Sequence, residues 1–182
     1  RRLIETHDLF ARGVGIDESG AHMIAHATEA RDARNIRNLD FVECPAVEMP
    51  FGDAVFDVVF SERGLLGHSD ATLAEALRVL EAGGLIFIET GGNFDVLRTE
   101  KERFERFGLV IQTLACRRQV LQFADFYEYI DYLCSVRVYS GKPLPADDDA
   151  TRFRQLLAEA EQENGKVCKP WNTIWIAGTK KP

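Results

Sequence analysis

The 182-residue chain has few of the features that would assign it quickly to a class, and each lack excludes something. It has no long hydrophobic run. Stretches such as Gly84-Leu85-Ile86-Phe87-Ile88 are strand-sized, far below the roughly 18 residues of a membrane span, so no membrane partner is expected. It has no basic excess: 22 Lys+Arg against 29 Asp+Glu leave a net charge of −7, and nothing attracts nucleic acid non-specifically. Its cysteines, Cys44, Cys116, Cys134 and Cys168, form no C-x-x-C pair, which argues against zinc and for four reduced, buried thiols. No signal peptide or Arg/Ser-rich transit segment is visible, and a cytoplasmic protein is expected. Methionine is missing from the start, since the chain begins Arg1-Arg2-Leu3-Ile4 and its two methionines are Met23 and Met49. A longer native polypeptide, or processing, is therefore expected. With 46% hydrophobic residues the chain can bury a core, and one domain spanning 1–182 is expected rather than a disordered segment or two domains.

Strand-like and helix-like segments alternate. Leu3, His7 and Phe10 share a helical face, so residues 1–10 read as a helix. Gly13 to Asp17 reads as a buried strand ending in an acid. Ser19 is placed to cap a helix whose Met23, Ala27 and Ala30 share a face. Residues 39–43 and 55–60 read as strands, the second almost wholly apolar, as a strand covered on both faces must be. Asp70 is expected to cap a helix with Leu73, Leu77 and Leu80 on one stripe, stopped by Gly83-Gly84. Residues 85–89 read as a strand, 100–107 as helix, 109–114 as strand. Tyr127, Tyr129, Tyr132 and Phe126 crowd a short aromatic helix. A polar Gly/Pro/Asp stretch then leads into a helix bearing Phe153, Leu156, Leu157 and Ala160, and 171–177 reads as a last strand. Such alternation implies right-handed crossovers between parallel strands and an α/β layered domain.

Asp17 stands at the carboxyl end of an early strand, where an acid can accept hydrogen bonds from both ribose hydroxyls of an adenosine cofactor. Its alternative role is to cap the following helix with Ser19. His22 and His26 have the i, i+4 spacing of helical metal ligands, but no third ligand lies near, and no metal site is expected. His68 follows a strand where a loop histidine or a substrate-side residue would both sit. Glu89 ends another strand and reads either as a pocket acid or as an ion-paired one. The tyrosines and tryptophans suit a hydrophobic core or a flat, apolar substrate. Gly13-x-Gly15 lacks the third glycine of a phosphate loop.

Several segments in order carry a resemblance. They are Val14-Gly15-Ile16-Asp17-Glu18-Ser19, Phe41 to Phe51, Phe56-Asp57-Val58-Val59-Phe60-Ser61 and Arg78 to Ile88. Together they resemble the class I S-adenosylmethionine-dependent methyltransferases, particularly the branch with the quinone-type C-methyltransferases. The resemblance implies a Rossmann-like, doubly wound, mostly parallel sheet with an antiparallel last strand. It implies a core of residues 1–123 and 166–182 and a helical lid insertion at about 124–165. It implies that Asp17 holds the ribose, Met23 packs near the adenine, Pro45 and Ala46 flank the adenine edge, and Ser61 faces the methionine moiety beside Glu62 and Arg63. Two departures stand out. Cys44-Pro45-Ala46 replaces the usual Gly-Asp-Ala, which removes an acceptor for the adenine amino group at a cost of about 1 kcal/mol. The first strand and its glycine-rich turn are absent, which would leave unpaired backbone in mid-sheet.

The resulting expectation is a methyltransferase that uses S-adenosyl-L-methionine and a small-molecule methyl acceptor, with a homodimer as its own assembly. Methyl transfer needs mainly alignment and water exclusion, so no fixed triad is required. If a base acts, Glu62, His68 and Glu89 are the candidates. Two other readings stay open: a catalytically silent methyltransferase-like binding or dimerisation module, and a nicotinamide-dependent oxidoreductase, which Asp17 would suit equally.

Overall fold

The computed structural model describes residues 4, 7–18, 21–62, 69–125, 127–132, 161–163 and 166–182. A 3-10 turn at His7–Leu9 precedes strand β1 (Gly13–Asp17), helix α1 (Ala21–Ala33) and strand β2 (Leu39–Glu43). Strand β3 (Phe56–Glu62), helix α2 (Asp70–Val79), strand β4 (Leu80–Gly91) and helix α3 (Phe94–Arg106) follow. Strands β5 (Val110–Phe123), β6 (Glu161–Glu163) and β7 (Lys166–Thr179) complete the order. Half of the expected 1–10 helix lies outside the described residues, as do Ser19 and the helix bearing Phe153. The segment His7 to Phe10 is held down by Asn38, whose side-chain amide donates to the carbonyls of His7 (2.6 Å) and Phe10 (2.8 Å).

The strands form two ladders. β1 and β2 pair in parallel, Gly13 opposite Leu39 and Asp17 opposite Glu43. The larger sheet has the order β3-β4-β7-β5, with β6 on β7. Its β3–β4 pair is parallel, and β7 runs antiparallel to both β4 and β5, which gives the expected antiparallel last strand. Among the described residues no ladder joins β1 to β3. Side chains connect the two sheets instead. Ile16 of β1 packs on the main core, where Leu73, Ala76 and Val79 of α2 and Phe104 of α3 meet Ile86, Ile88 and Ile176 of the large sheet. That layer is close-packed and dry, as a helix-covered sheet face must be.

Three boundaries differ from expectation, each for a local reason. Helix α2 is capped by Ser69, in extended conformation (φ −134°, ψ 127°) with its hydroxyl accepting from the Thr72 N–H. Asp70 is thereby freed to pair with Arg103 and Arg106 of α3. The same helix ends at Val79, because Leu80 is fully buried and already pairs with Phe56 in the β3–β4 ladder. Gly83 (φ +80°) therefore turns the chain within β4 rather than stopping a helix. The last two long strands exceed their apolar segments: β5 and β7 stay paired from Val110–Thr179 to Phe123–Val167, well past the end of β4. Hydrogen bonding along a two-stranded arm does not need an apolar run, so the sequence pattern does not mark it. Where the arm ends, Phe123 and Val167 bury Tyr129 of a helical segment at 127–132. Within the rest of the expected helical lid, residues 161–163 form strand β6 on β7 and not a helix, and residues 133–160 lie outside the described residues.

Candidate functional site

In parallel sheets ligands bind beyond the carboxyl ends of the strands, and both ladders present chemistry there. Beyond β1 and β2 lies an open cleft of about 530 Å³ lined by Glu18, Glu43, Cys44 and Pro45. Asp17, half-buried, ends β1 directly opposite Glu43. Its carbonyl accepts from the Cys44 N–H (3.1 Å), so the strand end and the following loop are tied together. Cys44 is buried, and burial pushes its thiol pKa up, which makes it packing rather than a nucleophile. Pro45 is exposed and Ala46 half-buried, and the Pro45 carbonyl accepts from Glu48 N–H (3.1 Å) to close a turn.

The far end of this loop is clasped to α2. The Met49 N–H donates to the Glu75 carboxylate (2.7 Å). The Arg78 guanidinium donates to Glu75 (2.7 and 2.8 Å), to Asp53 (2.6 Å) and to the carbonyls of Phe51 (2.9 Å) and Met49 (3.1 Å). The Arg78 hydrogen bond is the main reason the Glu75 pKa falls to about 2, with the Met49 amide adding to it against the cost of burial. No motif announces this clasp. An i, i+3 Glu–Arg pair on a helix reads as an ordinary surface pair, and only the fold brings the loop carbonyls over it.

Beyond β3 and β4 stand the second set of groups. Ser61 is buried, and Glu62, the last residue of β3, is exposed. Glu62 lies opposite Glu89 of β4 in the parallel register. Glu89 is 6% exposed and its carboxylate accepts the indole N–H of Trp175 at 2.8 Å. The Trp171 ring lies against Gly91, where an added Cβ would come within 3.1 Å. Strand alternation puts Phe60, Glu62, Phe87, Glu89 and Trp175 on one face of the sheet, with Phe60 and Phe87 stacked at 5.3 Å. The opposite face carries Ile86, Ile88 and Ile176 into the helix-covered core.

The sequence-predicted residues therefore fall into two groups. Pro45 lines the cleft of the small ladder, with Asp17 and Ala46 next to its lining residues in the chain, and Ser61, Glu62 and Glu89 stand at the end of the large one. Met23 is half-buried on α1. His68 and Arg63 lie outside the described residues. Glu18 and Glu43 as lining acids, and Trp175 as the partner of Glu89, were not singled out. The signal for Trp175 was its antiparallel register with Glu89, which only a sheet order supplies. His22 and His26 are exposed, and among the described residues no three His, Cys, Asp or Glu side chains gather as metal ligands. Nor, among the described residues, is any helix long and apolar enough to cross a membrane.

Residues 2–88 match the model of the methyltransferase domain family. Among curated proteins, the chain is 34% identical over 89 residues to the ubiquinone/menaquinone biosynthesis C-methyltransferase UbiE of Rhizobium leguminosarum bv. trifolii. That match covers 48% of this chain and 34% of the relative, so it spans about a third of that protein's length. Among solved structures, the YcgJ protein of Bacillus subtilis superposes with a TM-score of 0.68 at 16% identity, covering 94% of this chain and 83% of its own. The [4+2]-cyclase SpnF superposes with a TM-score of 0.60 at 16% identity, covering 94% and 68%. At such identities these likenesses concern the fold, which is the Rossmann-like α/β architecture.

Proposed function

We propose that the chain, whose residues 2–88 match the methyltransferase domain family, is a class I S-adenosylmethionine-dependent methyltransferase that transfers a methyl group to a small-molecule acceptor. The observation that carries the reading is the acid-lined cleft at the carboxyl ends of β1 and β2. Carboxylates there accept hydrogen bonds from hydroxyls and favour positive charge, and they would repel a pyrophosphate. A nucleoside bearing a sulfonium and an ammonium fits that donor set. The adenosine ribose of a nicotinamide dinucleotide would suit the same acids, so it is the match of residues 2–88 to the methyltransferase domain family and the antiparallel last strand that disfavour the oxidoreductase alternative.

When bound, S-adenosylmethionine supplies a methyl group already activated on sulfur. The protein's own part is positional. Asp17 would accept from the ribose hydroxyls, Pro45 and Ala46 would flank the adenine with Met23 nearby, and Ser61 would face the methionine end. The clasp of Glu75 and Arg78 would keep the loop that carries Pro45 from drifting. The acceptor would enter over the aromatic face of Phe60 and Phe87, which suits a flat ring such as a quinol. Glu62 and Glu89, with His68, are the groups that would take its proton. A cytoplasmic setting and a homodimer belong to the same reading, and gel filtration against light scattering tests the second.

The test is calorimetric titration with S-adenosylhomocysteine. Asp17→Ala should weaken binding about tenfold or more, the scale of a charged hydrogen-bond pair removed from a site. Equal affinity in both proteins would remove Asp17 from the cofactor. A silent binding module is the second reading, favoured by Cys44-Pro45 in place of the usual Gly-Asp, since a fold does not by itself imply catalysis. It predicts a chain that binds S-adenosylhomocysteine yet turns over none of a panel of hydroquinones.

A further inference from the structure

We infer that Arg78 is a positioning residue for cofactor binding: from the last turn of α2 it shapes the loop beside the cleft, a role that rests on the reading with S-adenosylmethionine next to Pro45. The loop is an arch between two buried anchors, Cys44 and Met49. The near anchor is tied to β1, where the Cys44 N–H donates to the Asp17 carbonyl (3.1 Å). The far anchor buries its side chain in the main core. Between them Pro45, Val47 and Glu48 are exposed, and the Glu48 N–H closes the turn on the Pro45 carbonyl (3.1 Å). Among the described residues no ladder joins the small sheet to the large one, and the arch runs from the edge of the first to the core of the second.

The guanidinium holds the far half of that arch. Two of its nitrogens grip the Glu75 carboxylate (2.7 and 2.8 Å), and the same carboxylate takes the Met49 N–H (2.7 Å). The fork also reaches the Met49 carbonyl (3.1 Å), the Phe51 carbonyl (2.9 Å) and Asp53 (2.6 Å). The chain then continues along the helix end, with the Ala54 N–H on the Arg78 carbonyl (2.9 Å) and the Val55 N–H on that of Val79 (2.8 Å). Arg78 is not among the residues that line the cleft, so it acts on a ligand through the arch. A guanidinium spreads five donors over a planar fork, whereas a lysine ammonium offers three at a point. Lysine therefore keeps the charge and loses the simultaneous grip. An arch without that grip samples other shapes, and a site that is competent only part of the time binds with its affinity cut by that fraction. The loss falls on association, because a ligand once bound leaves the same closed site.

The experiment measures S-adenosylhomocysteine binding to the full chain, to Arg78→Lys and to Arg78→Ala, with Kd from calorimetry and rates from surface plasmon resonance. The titration stoichiometry corrects each Kd for the folded fraction. Arg78→Lys should weaken binding about tenfold and Arg78→Ala about 100-fold, with slower association and unchanged dissociation. Ethylguanidinium, which restores the missing fork in Arg78→Ala, should recover about tenfold of that loss, and ethylammonium should recover none. The control is Lys180→Met. It strips the same helix end of two hydrogen bonds, to the carbonyls of Leu77 (2.7 Å) and Leu80 (2.6 Å), neither of them in the arch. That variant should lose stability and keep the parent Kd. Parental Kd in both Arg78 variants, or a loss carried by dissociation alone, overturns the proposal. Equal weakening in Lys180→Met overturns it too, since affinity would then follow stability. Should Arg78→Ala fail to fold, Arg78→Lys carries the same test. The underlying reading fails separately: a parent chain that binds no S-adenosylhomocysteine removes the cofactor from the cleft, and the role of Arg78 with it.

Discussion

Glu75 shows how a single side chain carries stability into the loop beside the cleft. Its carboxylate accepts from Arg78 and from the Met49 amide, and its pKa is held down at about 2. A carboxylate whose folded pKa lies below its unfolded value contributes stability that is fully present above the unfolded value. That stability fades as pH falls through the range from the ordinary 4.5 toward 2. Glu75→Gln should therefore cost about 1–2 kcal/mol at pH 6, and the gap between variant and parent should narrow progressively below about pH 4.5. Urea unfolding at pH 6, 4 and 3 measures the gap, and a constant difference would exclude the linkage. This clasp was not legible in the sequence. Glu75 and Arg78 show the i, i+3 spacing of a solvated helical pair, and nothing in the segment Met49 to Asp53 announces that its carbonyls bend over the guanidinium.

At the scale of elements, the junction of α2 and α3 is polar where most of the core is apolar. Arg103 and Glu100 have side chains only 7% and 6% exposed and pair at 2.8 Å. Arg103 also reaches Asp70 (2.9 Å) and donates to the Ser69 carbonyl, at the very start of α2. Removing one partner of a buried pair leaves the other uncompensated, so Arg103→Ala should destabilise by about 3–5 kcal/mol. Arg103→Met, which leaves the same acid buried, should cost nearly as much despite refilling the volume. Chemical denaturation of both variants measures this, and a loss under 1 kcal/mol in Arg103→Ala would contradict the burial argument. The elements themselves were largely legible. β1, β2, α1 and the strand at 85–89 sit where the sequence pattern put them. The arm of β5 and β7 was only half legible. Arg117, Arg118 and Gln119 pair with Thr173, Asn172 and Trp171 through the backbone alone, which leaves no periodic trace. The cap at Ser69 rather than Asp70 was decided by a partner 33 residues away, Arg103.

At the scale of the molecule, the two ladders have unequal support. The large sheet joins β3, β4, β7 and β5 by continuous hydrogen bonding over the helix-covered core. The β1–β2 pair is tied to that core through Ile16 and to its own small cluster of Ile4, Ile36 and Leu39. Two-stranded ladders are marginal alone, so this unit should open at lower free energy than the rest. The position of Asp17 at the end of β1 was legible, because the short apolar run from Gly13 stops at that acid. The pairing of Glu89 with Trp175 was not, since it depends on which strand lies beside β4. The division has a functional consequence: the cleft lined by Glu18, Glu43, Cys44 and Pro45 belongs wholly to the less supported unit. Native-state hydrogen exchange should show amides of β4 and β7 exchanging slowest and those of β1 and β2 at least about 100-fold faster. S-adenosylhomocysteine at about 100 times its Kd should then slow β1 and β2 by an amount equivalent to about 2.7 kcal/mol. Amides at the β5–β7 arm, remote from the cleft along the chain, should change less. Uniform slowing of every amide would mean instead that the small ladder opens only when the whole molecule does, and that Ile16 couples the two sheets as firmly as a shared ladder would.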